Sequence, residues 1–234
     1  MKKIITLLTA AILINACSSK NEGNMVVKGQ IKGLKKGTLY LQKMKDTLLT
    51  TVDSLNVLGD EQFVLTDNIK SPVIYYLTLD GKTRSNSILF FGEQGTITIN
   101  DKVEQYGYNP EINGSMNQDA LNKFNKVKNK FQNERLQFIK KDFEARKVND
   151  QAMVTQLEND YKKLTRKRVL FTTNFALTNS DLEVAPYIAL TEMYDASLKM
   201  LDTVNNSLTD KVKASEYGKR LTEYLDKIKA KEQK

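Results

Sequence analysis

The stretch INGSMNQD, Ile112 to Asp119, divides this chain into two textures. Before it, short runs of β-branched and aromatic residues alternate with turns that contain Gly, Asp and Lys. After it, from Met116 to about Thr178, there is no Gly and no Pro, and strong helix formers dominate. The two sides call for different elements: strands first, helices afterwards.

On the N-terminal side the spacing predicts strands over Val26–Ile31, Thr38–Lys43, Leu48–Leu55, Gln62–Thr66, Val73–Leu79, Ser87–Phe91 and Thr96–Asn100. The turns between them include GLKKG, LGDEQ, LDGKTRSN and GEQG. Short strands at intervals of about ten residues argue for an antiparallel β-sandwich or open barrel. Pro72 stands at a strand start, where its missing N–H does least harm.

On the C-terminal side Val154, Leu157, Tyr161, Leu164, Arg168, Phe171 and Phe175 recur at three- and four-residue steps. Ala120, Phe124, Val127, Phe131, Glu134 and Phe138 keep the same rhythm, that of a coiled-coil seam. KVNDQ, Lys147–Gln151, is the expected break, with Asp150 as helix cap. The expectation is a long antiparallel helical hairpin. Within it Arg168 is expected to meet Glu134 as an ion pair that fixes register. A further helix is expected around Pro186 to about Ala196, then two over Ser207–Ala214 and Ser215–Lys231, the second capped by Ser215. The fold class expected is therefore α+β, a β-rich module over 25–114 and a helical region over 115–234.

The N-terminus carries an address. Lys2 and Lys3 precede a mostly apolar stretch, Ile4–Ile14, too short to span a bilayer and of signal-peptide length. It ends in Ile14-Asn15-Ala16-Cys17, which resembles the lipobox of bacterial lipoproteins. That resemblance implies a signal peptide over 1–16, cleavage after Ala16 and lipidation of Cys17. Residues 17–24, CSSKNEGN, then read as a flexible tether. Cleavage would take Lys2 and Lys3 from the net charge of +8, leaving about +6.

Composition narrows the chemistry. The chain has 234 residues, enough for a substantial core, and its 40% hydrophobic content excludes a disordered class. It has no His, which removes the commonest general base and metal ligand. A single Cys cannot supply an internal disulfide, a CxxC pair or a thiolate zinc site. No catalytic residue, metal site or cofactor is expected, and the chain is not expected to be an enzyme.

The order of several short motifs adds a family. GQIKGLKKGTLYL, TVDSLNVLGDEQFVL, SPVIYYL, SILFFGEQGTITI and INGSMNQD, with the later APYIALTEMY and ASEYGKRLTEYL, resemble a domain of unknown function common in Bacteroidetes lipoproteins. In that family the module usually precedes a thioredoxin-like or peroxiredoxin-like domain with a CxxC pair. Here the sequence ends at KIKAKEQK with no such pair, so thiol–disulfide activity passes to no residue. The resemblance implies a lipid-anchored envelope protein, with the outer membrane as the expected location; the tether SSKNEGN has no dense acidic run of the kind associated with surface export, so the periplasmic side is the expected face.

Other candidates have plain structural explanations. GLKKG and GEQG lack P-loop spacing and read as hairpin turns. The basic runs Lys123, Lys126, Lys128, Lys130 and Lys162, Lys163, Arg166, Lys167, Arg168 read first as solvated helix faces, with anionic surfaces as the alternative. Asp60–Glu61 and Asp181/Glu183 fit capping better than paired-acid catalysis. Asp46-Thr47-Leu48, Asp53-Ser54-Leu55 and Asp202-Thr203-Val204 resemble a three-residue O-glycosylation pattern. Phe63, Tyr75, Tyr76, Phe90 and Phe91 read as core. The leading expectation is a non-catalytic binding or scaffolding module, attached to the membrane through its lipid, with an envelope protein partner or self-association. Nucleic acid is not an expected partner. The alternatives are an accessory to thiol–disulfide or peroxide chemistry beside a separate thioredoxin-like protein, and a small-ligand or glycan binder.

Overall fold

The computed structural model describes residues 23–80 and 87–232. It is α+β: among the described residues, eight strands form two four-stranded sheets and six helices follow. The expected leader, and the expected tether up to residue 22, lie outside the described residues.

Seven strands match or extend the seven expected runs: β1 Met25–Lys32, β2 Lys36–Lys45, β3 Leu48–Leu58, β4 Gln62–Asp67, β5 Val73–Leu79, β6 Ser87–Gly92 and β7 Gly95–Lys102. An eighth, β8 Glu111–Asn113, lies partly within the stretch that divides the textures. One sheet has the order β4-β1-β7-β8 and the other β3-β2-β5-β6, and they do not close into a barrel.

The expectation of an antiparallel module fails at one ladder. β1 and β7 pair in parallel, from Met25 opposite Gly95 to Lys32 opposite Lys102. Alternation puts Met25, Val27 and Ile31, like Ile97 and Ile99, on the buried face. That period of two is the same for either strand direction, so it cannot distinguish parallel from antiparallel pairing. The close approach is visible at Gly29, where a Cβ would lie 1.8 Å from the Ile99 carbonyl oxygen.

Phe90 and Phe91 show how the second sheet is covered. They are adjacent and point to opposite faces, yet neither is exposed. Phe90 stacks on Tyr75 at 5.9 Å, whereas Phe91 meets Tyr187 at 5.3 Å and Tyr217 at 6.2 Å. Helical residues therefore cover one face of this sheet, and β5 is buried along nearly all its length.

Ser115 begins the helices, its Oγ accepting the Gln118 N–H at 3.0 Å. Helix α1 is Met116–Lys147 and α2 is Gln151–Thr178, with the break where expected. Asp150 Oδ1 caps α2 by accepting the Met153 N–H at 3.0 Å. Ring contacts run in opposite order along the two helices: Phe138 with Tyr161, Phe131 with Phe171, Phe124 with Phe175.

Helix α3 is Val184–Glu192, with Pro186 in its first turn, as its fixed φ favours. The expected helix over Ser207–Ala214 is replaced by α4 Leu198–Ser207 and the short α5 Asp210–Lys213. Ser197 and Thr209 cap these two, and Leu201, Val204 and Leu208 bury the intervening face. Helix α6 is Glu216–Glu232, and Ser215 Oγ accepts the Gly218 N–H at 3.2 Å as expected.

Phe124, Val184, Ile188 and Tyr217 join the sheet residues in one core. A second core lies among α2–α6, and a small third one, Ala145, Val154 and Leu157 with Phe138, lies toward the α1–α2 turn. The expected tether ends earlier than Asn24. The Asn24 amide donates to the Ile69 carbonyl at 2.8 Å and accepts the Ile69 N–H at 2.8 Å, which ties that residue into the fold.

Candidate functional site

In the β2–β5 ladder Lys43 stands opposite Tyr75 and Gln42 opposite Tyr76. Strand alternation turns Tyr75 inward and leaves Tyr76 half-buried on the helix-covered side. Helix α6 starts beside this ladder: the Glu216 N–H donates to Ser71 Oγ at 3.2 Å, and Tyr217 OH accepts the Ile74 N–H at 3.1 Å. α3 adds Tyr187, whose ring lies 5.2 Å from that of Tyr217.

Between these elements two adjoining cavities, of about 660 and 320 Å³, share Met44, Val73, Glu216 and Arg220. The smaller is floored by Ile74, Tyr76, Tyr187, Leu190 and Tyr217. The larger is rimmed by Lys43, Lys45, Lys70 and Lys219, with Asp46, Glu216 and Glu223 as its carboxylates.

Two of its cations are paired. Arg220 meets Glu216 at 2.7 Å, one helical turn away. Lys43 donates to Asp67 Oδ2 at 2.5 Å and to Tyr75 OH at 3.2 Å. Tyr75 OH donates to the same Asp67 oxygen at 2.5 Å. Asp67 belongs to the first sheet, and Lys43 and Tyr75 to the second, so this contact joins the sheets at the groove's edge. Burial, then the bond to Asp67, hold the Tyr75 phenol far above its ordinary range. Burial pushes Tyr187 up to about 12. Burial also raises Tyr217, against the opposing effect of the Ile74 N–H. The groove thus presents neutral phenols and aliphatic carbons at one end, and at the other ammonium groups in excess over the carboxylates of Asp46, Glu216 and Glu223. Such a lining can accept an apolar or ring-bearing group at the floor and an anionic group beside the rim lysines.

Residues 25–121 match the family model of a domain of unknown function, DUF4369. The DUF4369 segment runs from the first residue of β1 into the second turn of α1. The groove straddles its limit: Lys43 to Tyr76 lie inside the segment, Tyr187 to Glu223 beyond it. No curated protein and no solved structure matches the chain.

The DUF4369 segment is joined to the later helices by Asn117, which is buried. Its amide nitrogen donates to Glu93 Oε2 at 2.9 Å and Glu183 Oε2 at 3.1 Å, and its Oδ1 accepts the Val184 N–H at 2.8 Å. Glu93 Oε1 also accepts the Met116 N–H at 2.8 Å, at the electropositive start of α1. Glu183, one of the paired acids, therefore serves as a joint.

The other sequence candidates fall as follows. Cys17 and Ala16 lie outside the described residues. The expected pair of Glu134 with Arg168 is not formed. Arg168 instead donates to the Glu192 carbonyl at 3.1 Å and to the Asp195 carboxylate, and stacks on Tyr194, while Glu134 is exposed. The end of α3 packs across this part of α2 and supplies nearer acceptors than α1 does. Lys128, from the other basic run, also goes to this end of α3, pairing with Glu192 at 2.6 Å. Lys162, Lys163, Arg166 and Lys167 are exposed. Asp60 and Glu61 bind backbone N–H groups of Gln62 and Gly33. Asp53 accepts the Thr66 N–H at 2.9 Å, and Asp202 pairs with Lys229 at 2.7 Å. Phe63, Tyr75, Phe90 and Phe91 are core, whereas Tyr76 lines the groove.

Sequence reasoning did not single out Tyr187, Tyr217, Lys70 or Lys219. The two tyrosines do lie in APYIALTEMY and ASEYGKRLTEYL, stretches whose family likeness was the one available signal. Among the described residues, no group of three or more Asp, Glu, His or Cys could hold a metal ion.

Proposed function

We propose that this chain is a lipid-anchored, non-catalytic binding module of the cell envelope, held by Cys17. Its ligand would seat in the groove between the second sheet and helices α3 and α6. The observation that carries this reading is the groove's division into a tyrosine-lined floor and a lysine rim, built from both regions of the chain. In this reading the two sheets face one another as a sandwich, and α1 and α2 form the long antiparallel hairpin expected from the sequence. The ligand class the lining favours is an anion with an apolar or sugar ring face, since phenols and aliphatic carbons stack on rings and ammonium groups take carboxylate or phosphate.

The test is a thermal-shift survey of anionic glycans, aryl and acyl phosphates, and carboxylate-ended peptides against the chain and Lys70→Glu/Lys219→Glu. Ligands that bind only the folded state raise its melting temperature. A class that raises the melting temperature of the parent, and not of the charge-reversed variant, supports the groove. Equal shifts in both, or none in either, would remove it as a site. The anchor is tested separately, by mass spectrometry of the mature N-terminus beside Cys17→Ala.

A further inference from the structure

The chain enters its fold at the rim of the groove. Asn24, just before β1, is tied to the turn between β4 and β5. Its side-chain amide donates to the Ile69 carbonyl and accepts the Ile69 N–H, each at 2.8 Å, and its own N–H donates to Asn68 Oδ1 at 3.2 Å. Asn68, Ile69, Lys70 and Ser71 of that turn line the larger cavity. Cys17 stands seven residues before Asn24, a span of at most about 25 Å at full extension. A lipid on Cys17 would therefore keep the rim of the groove close to the headgroup layer. A tether this short holds the two at an effective concentration on the order of millimolar.

The lining is divided as an amphiphile is. The smaller cavity offers Met44, Val73, Ile74 and Leu190 beside three tyrosine rings, and its charged members, Glu216 and Arg220, are paired with one another. In the larger cavity the five cations outnumber Asp46, Glu216 and Glu223, with Asp67 on Lys43, by one. That excess matches the charge of one phosphodiester. Lys70 adjoins Ser71, whose Oγ accepts the Glu216 N–H, and Lys219 lies one turn further along α6. Two ammonium groups thus flank the junction between the tether's entry and the last helix.

We infer that the groove takes an anionic lipid from the membrane that carries the anchor, an acyl chain entering the smaller cavity and the phosphate lying beside Lys70 and Lys219. This rests on the binding-module reading and narrows its ligand class to a lipid. The opposite end of the fold is turned away from that membrane. There Tyr106 OH donates to the Leu77 carbonyl at 2.9 Å, at the end of β5 remote from Val73, and Tyr108 is 85% exposed in the same loop.

The chain has no tryptophan, so Thr191→Trp supplies a single reporter at the lining of the smaller cavity. The full chain with this change is titrated with dihexanoylphosphatidylglycerol below its micelle concentration, with dihexanoylphosphatidylcholine, and with glycerol phosphate, which has no acyl chain. A saturable blue shift with the first, a weaker one with the second and none with the third are expected. Lys70→Glu/Lys219→Glu should weaken phosphatidylglycerol binding about tenfold or more, and Lys162→Glu/Lys167→Glu, the same charge change at exposed sites on α2, should leave it unchanged. In phosphatidylglycerol vesicles with brominated acyl chains, the reporter on the acylated chain should be quenched and Tyr108→Trp should not.

An equal response to glycerol phosphate would mean a soluble phosphate ligand and overturns the inference. So does equal binding of the two lipids, an equal loss with both charge reversals, or a reporter unquenched in the vesicles. Should anionic glycans or aryl phosphates stabilise the chain through Lys70 and Lys219 while the short-chain lipid does not bind, the groove stands and the lipid falls. Should no class bind, both fall. The titration needs no anchor, so it decides the ligand whatever mass spectrometry finds at Cys17.

Discussion

The Tyr217 hydroxyl accepts a hydrogen bond from the backbone N–H of Ile74 at 3.1 Å, across 143 residues of sequence. It holds the first turn of the last helix against a central strand of the second sheet, at the floor of the groove. Removing the oxygen leaves a buried N–H without its partner. Tyr217→Phe should therefore lower stability by about 1–3 kcal/mol. Urea unfolding should show a lower midpoint with an unchanged slope. An unchanged midpoint would mean that water replaces the phenol.

The raised phenols predict an alkaline weakness. Tyr75, Tyr106, Tyr187 and Tyr217 are all shifted up, chiefly by burial. An unfolded tyrosine titrates near 10, so above about that pH the unfolded chain has released protons that the folded chain retains. The folded state then binds more protons, and the unfolding free energy falls as pH rises. Below that range these four groups add no pH dependence. Denaturant midpoints taken at rising alkaline pH should decline, and Tyr187→Phe should make the decline shallower. A parallel decline in the variant would place the titrating groups elsewhere.

Asn117 meets two carboxylates and one backbone N–H with a single amide. Asn117→Leu deletes all three contacts and leaves Glu183 buried. A loss of about 3 kcal/mol or more is expected, since a buried charged acceptor loses its donor. Hydrogen exchange should report where the damage lies. Faster exchange at the start of α3 is the expected pattern, and loss confined to α1 would contradict the joint.

Gly29 tests the parallel ladder. Any Cβ there collides with the Ile99 carbonyl, which is backbone and has no rotamer to yield. Gly29→Ala should destabilise by roughly 3 kcal/mol or more, at the upper end for one added methyl group. A stability within experimental error of the parent would mean that β1 and β7 are not paired this closely.

Much of this architecture was legible because it is local. Strand bounds follow alternation and turn residues, and the caps at Asp150 and Ser215 follow from side chains that reach the N–H group three residues on. The partner of Arg168 was not legible. The seam rhythm places it on the α1-facing side of α2 but says nothing of a third helix end, at Glu192 and Asp195, reaching the same spot. The groove was hidden for a related reason. Lys70, Tyr187 and Lys219 are far apart in sequence and carry no shared pattern. They become neighbours only when α6 settles beside β5.

The parallel ladder of β1 with β7 also sets an order of events. The second sheet can grow from neighbouring segments, since β2 and β3 are linked by a short turn and β5 and β6 follow one another. β1 has no partner until β4 appears, and it is not flanked on both sides until the chain has run through Lys102. Pairings that close long loops are slow to form. Met25–Lys32 should therefore stay open the longest during folding, with an unpaired apolar edge that a chaperone could hold.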